Sequence, residues 1–411
     1  MGSVNNNAGA QPARYYRSGD VLEVTIEKIV PRGFGLGFAE NLTVLVPLAV
    51  PGDLLEVRIR EKKKRMAFAE IVKVLRPGHE RSTPPCPLFG VCGGCDFQQM
   101  NYAAQVEAKR GIIRDCLVRI GKIEVTDDDI TMIASPHPLE YRSRARWHFD
   151  KANQRIGYMR RDSNEVVDVA ACPILTPGLV STLEFLREST DWNSYHGDVE
   201  LEAASGEAGR VSTFSRAARE AAAIVSVRLA GEEYSYSAET FFQANRFLIE
   251  RLIESAIGDA AGESALDLYS GVGLFALALA RRFSRVTAVE ENGAAVELAQ
   301  MNIANAHLEN VQVLHKGVEK HLSRRKKITA DFVLLDPPRS GTEPRTIELL
   351  TRVRPRHISY VSCEPSILAR DLRLLLDAGY RIESITGIDL FPQTHHVETV
   401  VHLRNAGTSE Q

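Results

Sequence analysis

Short segments that alternate between apolar and polar residues fill the chain from Gly19 to Leu75. VLEVTIEKIV alternates at period two, and RGFGLGFAE carries closely spaced glycines suited to bends in a curled strand. LTVLVPL, LLEVRIR and MAFAEIVKVL follow, separated by turn signals such as PGD at 51–53. Five short strands in so short a stretch predict a small closed barrel of OB-like type. RPGHERSTPP at 76–85 has the composition of a linker.

From Cys86 to about Glu233 the pattern is mixed. Residues Tyr102 to Ile120 place Val106, Ile112, Ile113, Cys116, Leu117 and Ile120 at helical spacing, with Cys116 on the core face. RARWHF and RIGYMR read as strands, and 181–231 reads only as α+β. After Glu239 helices alternate with short apolar strands. Helices are expected over 245–257, 273–282, 292–305, 343–352 and 365–377. The strands are SALDLY, RVTAVE, VQVLH, DFVLLD and HISYVS, closing near 380–390 and 397–403. That alternation predicts an α/β domain with a doubly wound, mostly parallel sheet. The expected division is a polar, disordered tail over 1–13, the barrel over 14–76, a central α+β domain over 77–235 and the α/β domain over 236–411. No internal repeat is visible.

At 411 residues the chain exceeds one typical domain, and 44% hydrophobic with 25% charged residues is ordinary for a globular protein. The longest clean apolar run, Leu274 to Ala280, is far too short to span a bilayer. MGSVNNNAGAQPARYY has no apolar h-region, so a cytoplasmic protein is expected. A net charge of -3 gives no global sign of nucleic-acid binding. Two local runs do. RIREKKKR at 58–65 holds six basic residues and one acidic, and EYRSRARWHFDKANQRIGYMRR at 140–161 holds seven and two. Interleaved Tyr141, Trp147, Phe149 and Tyr158 are expected to stack on unpaired RNA bases.

The chemistry concentrates in three places. SALDLY runs into Ser270-Gly271-Val272-Gly273-Leu274-Phe275-Ala276, a glycine turn that lets a ligand approach the backbone. Glu290 ends the next strand, where a carboxylate can bind both hydroxyls of a ribose; NAD and S-adenosylmethionine both satisfy this. DFVLLD ends in Asp336-Pro337-Pro338-Arg339 and HISYVSC ends in Cys363-Glu364-Pro365, so Asp336 and Cys363 leave two strand ends near each other. Cys86, Cys92 and Cys95 crowd into ten residues, and Cys172 opens CPIL. Four thiolates suit a 4Fe–4S cluster or a structural Zn²⁺. The adjacent His395-His396 pair can orient neighbouring groups but lacks the one-face spacing of the H-E-x-x-H zinc motif.

DLYSGVGLF, LDPPRSG, VSCEPSILARDL and FPQTHHVETVVHL together resemble the RNA uracil-5-methyltransferases, a class I S-adenosylmethionine-dependent family. The barrel resembles a TRAM domain, and the resemblance spans the chain from about residue 17. It is closest to the branch that methylates 23S ribosomal RNA, with a transfer-RNA enzyme as the alternative. It implies S-adenosylmethionine contacts at Gln243 of FFQAN, Tyr269, Glu290 and Asp336, around the turn of Gly271, Gly273 and Leu274. Leu274 stands where related ribosomal enzymes can have Asn, so a polar contact is expected to be missing there. The resemblance also implies Cys363 as nucleophile, Glu398 as base, and Cys86, Cys92, Cys95 and Cys172 as ligands of a 4Fe–4S cluster. The expected protein is thus an RNA-binding monomer that makes 5-methyluridine. Its rivals are an NAD-dependent dehydrogenase and a non-catalytic RNA-binding module.

Overall fold

A computed structural model describes residues 16–194, 197, 199–217, 221–323, 328–343 and 345–407. The tail expected over 1–13 lies outside them. The described chain divides into two compact units: residues up to Thr83 with Gln99–Asn101, and Pro84–Gln98 with everything from Tyr102 onward.

The first unit is a closed five-stranded barrel. Strands β1 (Val21–Val30), β2 (Phe34–Ala39), β3 (Leu42–Val46), β4 (Leu54–Lys63) and β5 (Met66–Arg76) close in the order β1-β2-β3-β5-β4. The alternation turns Val24, Ile26, Val44, Val46, Val57 and Ile59 inward to form its core. A Cβ at Gly37 would lie 2.4 Å from the Thr25 carbonyl oxygen, so only glycine lets β2 lie so close to β1. Asp53 is fully buried and accepts from the Val50 and Gly78 amides at 2.7 and 2.8 Å. Arg81 donates to the same carboxylate through Nε and a terminal nitrogen at 2.9 and 2.6 Å. This ties the segment after β5 back to the turn before β4.

The second unit begins with the cysteine loop, then α1 (Tyr102–Arg119) and β6 (Ile130–Ile133). β7 (Arg144–Asp150), β8 (Arg155–Met159), β9 (Val166–Asp168), α2 (Pro177–Ser189), β10 (Val199–Ser205) and β11 (Val211–Phe214) follow. Their strands form one antiparallel sheet in the order β11-β10-β7-β8-β9. β12 (Val225–Leu229) and β13 (Glu232–Tyr236) make a separate hairpin. Then come α3 (Ile249–Ile257), β14 (Gly262–Leu268), α4 (Leu274–Ala280), β15 (Phe283–Glu290), α5 (Gly293–Asn305), β16 (Val311–His315) and α6 (Val318–Leu322). β17 (Phe332–Leu335), α7 (Thr346–Val353), β18 (His357–Ser362), α8 (Pro365–Asp377), β19 (Tyr380–Ile388) and β20 (Glu398–Asn405) complete it.

These last elements build an eight-stranded sheet in the order β16-β15-β14-β17-β18-β20-β19-β6. The array from β16 to β18 is parallel, and β20 runs antiparallel to both β18 and β19. β17 and β18 are buried almost throughout, as expected of strands covered on both faces. The apolar run Leu274–Ala280 is α4, packed in the main core. Among the described residues no helix is long and apolar enough to cross a membrane. β6 joins this sheet although four residues of mixed pattern gave no sequence signal for it.

The stacking expected of the 140–161 aromatics is not met. Alternation along β7 sends Ala145, Trp147 and Phe149 into the core, where Trp147 is 0% exposed. Tyr141 is also 0% exposed and donates to the Pro392 carbonyl at 2.9 Å. Tyr158 is half-buried among the cysteines. The arginines of the run are largely engaged within the fold. Arg144 donates to the Ser237 and Ala238 carbonyls, Arg146 to Glu202, and Arg155 and Arg160 to Glu165.

Asp53→Ala is expected to destabilise the barrel by about 3–5 kcal/mol, the usual loss when one partner of a buried pair is removed. Hydrogen exchange checks this: amide protection should fall in β1 and β4 and stay unchanged in β14.

Candidate active site

The strand order reverses at β14, with β15 on one side and β17 on the other. Such a switch point opens a crevice at the carboxyl ends of the strands. The glycine turn leaves β14 there. Tyr269, Gly271 and Gly273 all have positive φ, at 65°, 53° and 89°. Glycine takes this conformation freely, whereas Tyr269 takes it at a cost. The Tyr269 phenol donates to Glu343, which also accepts from the Thr346 hydroxyl at 3.0 Å. Glu290 accepts from the Gly271 amide at 2.8 Å, and its other oxygen accepts from the Glu291 and Asn292 amides at 2.9 and 2.7 Å. Its carboxylate is thus fixed beside the turn. Leu274 begins α4 with its side chain in the core.

Asp336 follows β17 and accepts from Gln243 Nε2 at 3.5 Å, which brings the FFQAN segment to the same strand edge. Burial raises the Asp336 carboxyl to about 7. Asp267, one residue before the end of β14, is fully buried, and neither carboxylate oxygen has a hydrogen-bond partner. Burial, then Asp336 and Glu290, push it well above the carboxylate range. Three acids thus share one crevice, a setting that favours a cationic ligand. Asp267 was missed in the sequence. Its signal is an acidic residue inside an otherwise apolar strand.

Cys363 and Glu398 meet across the next pair of strands. The β18–β20 ladder ends at Ser362–Thr399, which brings Cys363, just past β18, beside Glu398, the first residue of β20. Glu398 is 3% exposed and its Oε1 has no hydrogen-bond partner. Burial, then Asp336, push its carboxyl well above the usual range, and Arg339 opposes them. Burial, then Glu398, raise the Cys363 thiol to about 12; Arg339 opposes this rise while Asp336 adds to it. Arg339 is exposed and sits 5.8 Å from the centroid of the Phe391 ring. It was read in the sequence only as part of LDPPRSG, yet it favours both the thiolate and the carboxylate. Phe241, beside Gln243 in FFQAN, is 66% exposed.

Cys86, Cys92, Cys95 and Cys172 line one cavity of about 130 Å³, with Arg142 and Tyr158 also in its wall. Burial raises the Cys92 thiol, Cys95 to about 12 and Cys172 to about 11. Among the described residues no three His, Cys, Asp or Glu side chains are placed to hold a single ion between them. The cysteines stand around a space instead. Four sulfur donors in a largely apolar wall, with Arg142 beside them, fit a soft, thiolate-bound centre. His395 and His396 lie apart from that cavity's wall. His395 Nδ1 is 2.6 Å from Asp96 Oδ2, and burial pulls His396 down to about 3.

A TRAM domain is matched over residues 17–72 and a tRNA (Uracil-5-)-methyltransferase family over residues 222–406. The 23S rRNA (uracil(1939)-C(5))-methyltransferase RlmD of Psychromonas ingrahamii is 31% identical, over 95% of this chain and 98% of its own. An RNA methyltransferase of Synechocystis is 31% identical over 97% and 98%. The crystal structure of the Pyrococcus abyssi tRNA (uracil-54, C5)-methyltransferase with S-adenosyl-L-homocysteine superposes with a TM-score of 0.72. It covers 93% of this chain at 27% identity. The chain belongs to the RNA uracil-5-methyltransferase family with a TRAM domain. It is an S-adenosylmethionine-dependent enzyme acting on uracil C5 in RNA, so the dehydrogenase and the non-catalytic module fall away.

Asp336 gives the ligand-free protein a pH signature. An unfolded Asp titrates near 3.9 and the folded one near 7, so the folded state holds the extra proton between these values. The stability this proton confers is complete below about pH 4 and is lost as pH rises through 7. Thermal melts between pH 5 and 8 should show that loss, and Asp336→Asn should reduce it, Asp267 and Glu398, also raised, keeping the remainder.

Proposed function

We propose that the enzyme makes 5-methyluridine in 23S ribosomal RNA, with Cys363 as nucleophile and Glu398 as base. The observation that carries this reading is the end of the β18–β20 ladder, which brings these two residues together near Asp336. Uracil C5 is a weak nucleophile. Addition of the Cys363 sulfur to C6 makes an enolate, whose C5 then takes the methyl group from the sulfonium of S-adenosylmethionine. Glu398 removes the C5 proton, and the C6–S bond breaks to release the product. Burial disfavours the charged form of both groups. Arg339 is the cation that favours ionising them.

Gln243, Tyr269, Gly271, Gly273, Leu274, Glu290 and Asp336 hold S-adenosylmethionine in this reading. Glu290 takes the ribose, and the acids of the crevice suit the sulfonium. Cys86, Cys92, Cys95 and Cys172 hold a 4Fe–4S cluster, supported by their four sulfurs around one cavity. The chain works as a barrel over 14–76, a central domain over 77–235 and a methyltransferase domain over 236–411. Residues 58–65 of the barrel bring RNA phosphates. The RlmD likeness supports ribosomal RNA as the target. Transfer RNA is the second reading, favoured by the superposition on the archaeal tRNA enzyme. Methylation of in-vitro 23S rRNA and tRNA transcripts, mapped by mass spectrometry, separates the two.

Three outcomes test the rest. Cys363→Ala should abolish turnover and leave S-adenosylhomocysteine binding intact. Glu398→Gln keeps the shape but lacks a carboxylate base, so methyl transfer finishes and elimination stalls. A covalent protein–RNA adduct should then appear on a denaturing gel and vanish in the Cys363→Ala, Glu398→Gln double variant. Normal turnover by Glu398→Gln would remove its assignment as base.

Anaerobically purified protein should carry about four irons per chain. A colourless, fully active protein with one zinc would overturn the cluster. Neutralising Lys62, Lys63 and Lys64 should weaken RNA binding and flatten its salt dependence. An unchanged slope would make the run a solvated face.

A further inference from the structure

Glu398 opens β20, and the residues before it carry no regular secondary structure from Asp389 to Val397. Glu398 is the first rung of β20 on β19, opposite Ile388, and its Oε1 has no hydrogen-bond partner, so its placement leans on the backbone that leads into it. What fixes this segment therefore fixes how the chain enters β20 at Glu398. From α1, Lys109 Nζ donates to Asp389 Oδ1 at 2.5 Å and to the Phe391 carbonyl at 2.9 Å. Gln105 and Gln393 exchange two hydrogen bonds, both 3.0 Å, and Gln393 has a left-handed φ of 67°.

The other hold comes from the cysteine loop. The amides of Asp96 and Phe97 both donate to the Gln393 carbonyl, at 2.9 and 3.0 Å. Asp96 Oδ2 takes the His395 ring at 2.6 Å. Its Oδ1 accepts from Arg161 at 3.0 Å, and the same guanidinium donates to the Cys95 carbonyl at 2.5 Å. The residue next to Cys95 thus grips the segment on both sides of Thr394. Side-chain packing continues the connection. The His395 and His396 rings lie 4.1 Å apart, His396 meets Phe391 edge-on, and Arg339 sits over Phe391.

We propose that Asp96 is a positioning residue for the methylation site. By holding Gln393 and His395 it sets the segment that presents Glu398, and so makes an intact cysteine loop a condition of proton removal from C5. This deepens the reading of Glu398 as base and rests on it. It assigns the cysteine loop a mechanical part in catalysis that does not depend on which metal centre the thiols hold.

The test uses the full chain and a labelled in-vitro transcript, ribosomal or transfer, that the wild-type protein methylates. Asp96→Ala should slow turnover on the order of tenfold or more, the scale of losing a supporting contact behind a site. Its affinity for S-adenosylhomocysteine should be unchanged, and the covalent adduct should accumulate as in Glu398→Gln. Asp96→Asn keeps an acceptor for His395 and should recover most of the rate. His395→Ala reaches the same contact without touching the cysteine loop, and should keep its metal content and still accumulate adduct. The Asp96→Ala, His395→Ala double variant should be no slower than the slower single variant, since both remove one contact.

Wild-type rates in His395→Ala, multiplying losses in the double variant, or loss of S-adenosylhomocysteine binding in either single variant would overturn the proposal. Should Asp96→Ala fail to fold, His395→Ala decides alone. Glu398→Gln on the same gel keeps the two ideas apart. If it turns over normally, the base assignment fails. If it accumulates adduct while Asp96→Ala and His395→Ala eliminate normally, only the role of Asp96 fails.

Discussion

The antiparallel pairing of β20 with β18 is the constraint on which the site depends. In a purely parallel sheet the carboxyl edge receives only strand ends, each carrying one turn's worth of side chains. Here β20 starts at that edge while β18 finishes there. A residue after one strand and a residue opening another are therefore brought face to face, far apart in sequence and adjacent in space. Slipping the register by one residue would turn Cys363 and Glu398 to opposite faces of the sheet. The register is secured because β20 is buried along nearly its whole length, so a slip would push His402 and Arg404 into positions held by Val401 and Leu403.

Charge at this edge is arranged against the empty state. Asp267, Asp336 and Glu398 are all raised by burial, and Arg339 opposes that rise at Glu398 and at Cys363. A crevice that crowds acids without cations is costly until something positive fills it. In the proposed placement of S-adenosylmethionine its sulfonium is that charge, which would link co-substrate binding to the ionisation of these groups.

Much of this was legible in the sequence, for identifiable reasons. The barrel strands and the βα alternation announce themselves because each has one dominant period. Asp336 and Cys363 were visible because Pro337-Pro338 and Pro365 stop a strand pattern abruptly. The Glu398–Cys363 register was not, since pairing between distant strands leaves no local trace. The 140–161 run misled because alternation of basic and aromatic residues looks the same whether the aromatics face solvent or core. The adjacent strand β10 and the covering helix α2 decide which, and their segment carried no clear period.

The same limit explains why Asp96 passed unnoticed. It reads as the residue after a cysteine, with nothing around it to suggest catalysis. Its partners lie about three hundred residues on, in a segment without helix or strand, where side chains and backbone amides must do what a ladder does elsewhere. A segment held this way is only as well placed as the elements that hold it. Residues 389–397 are held by α1 on one side and the cysteine loop on the other, and neither belongs to the parallel array that supplies Asp336 and Cys363. Two folding events must therefore agree at this edge: formation of the sheet, which places Asp336 and Cys363, and closure of the cysteine loop, which holds the segment leading to Glu398.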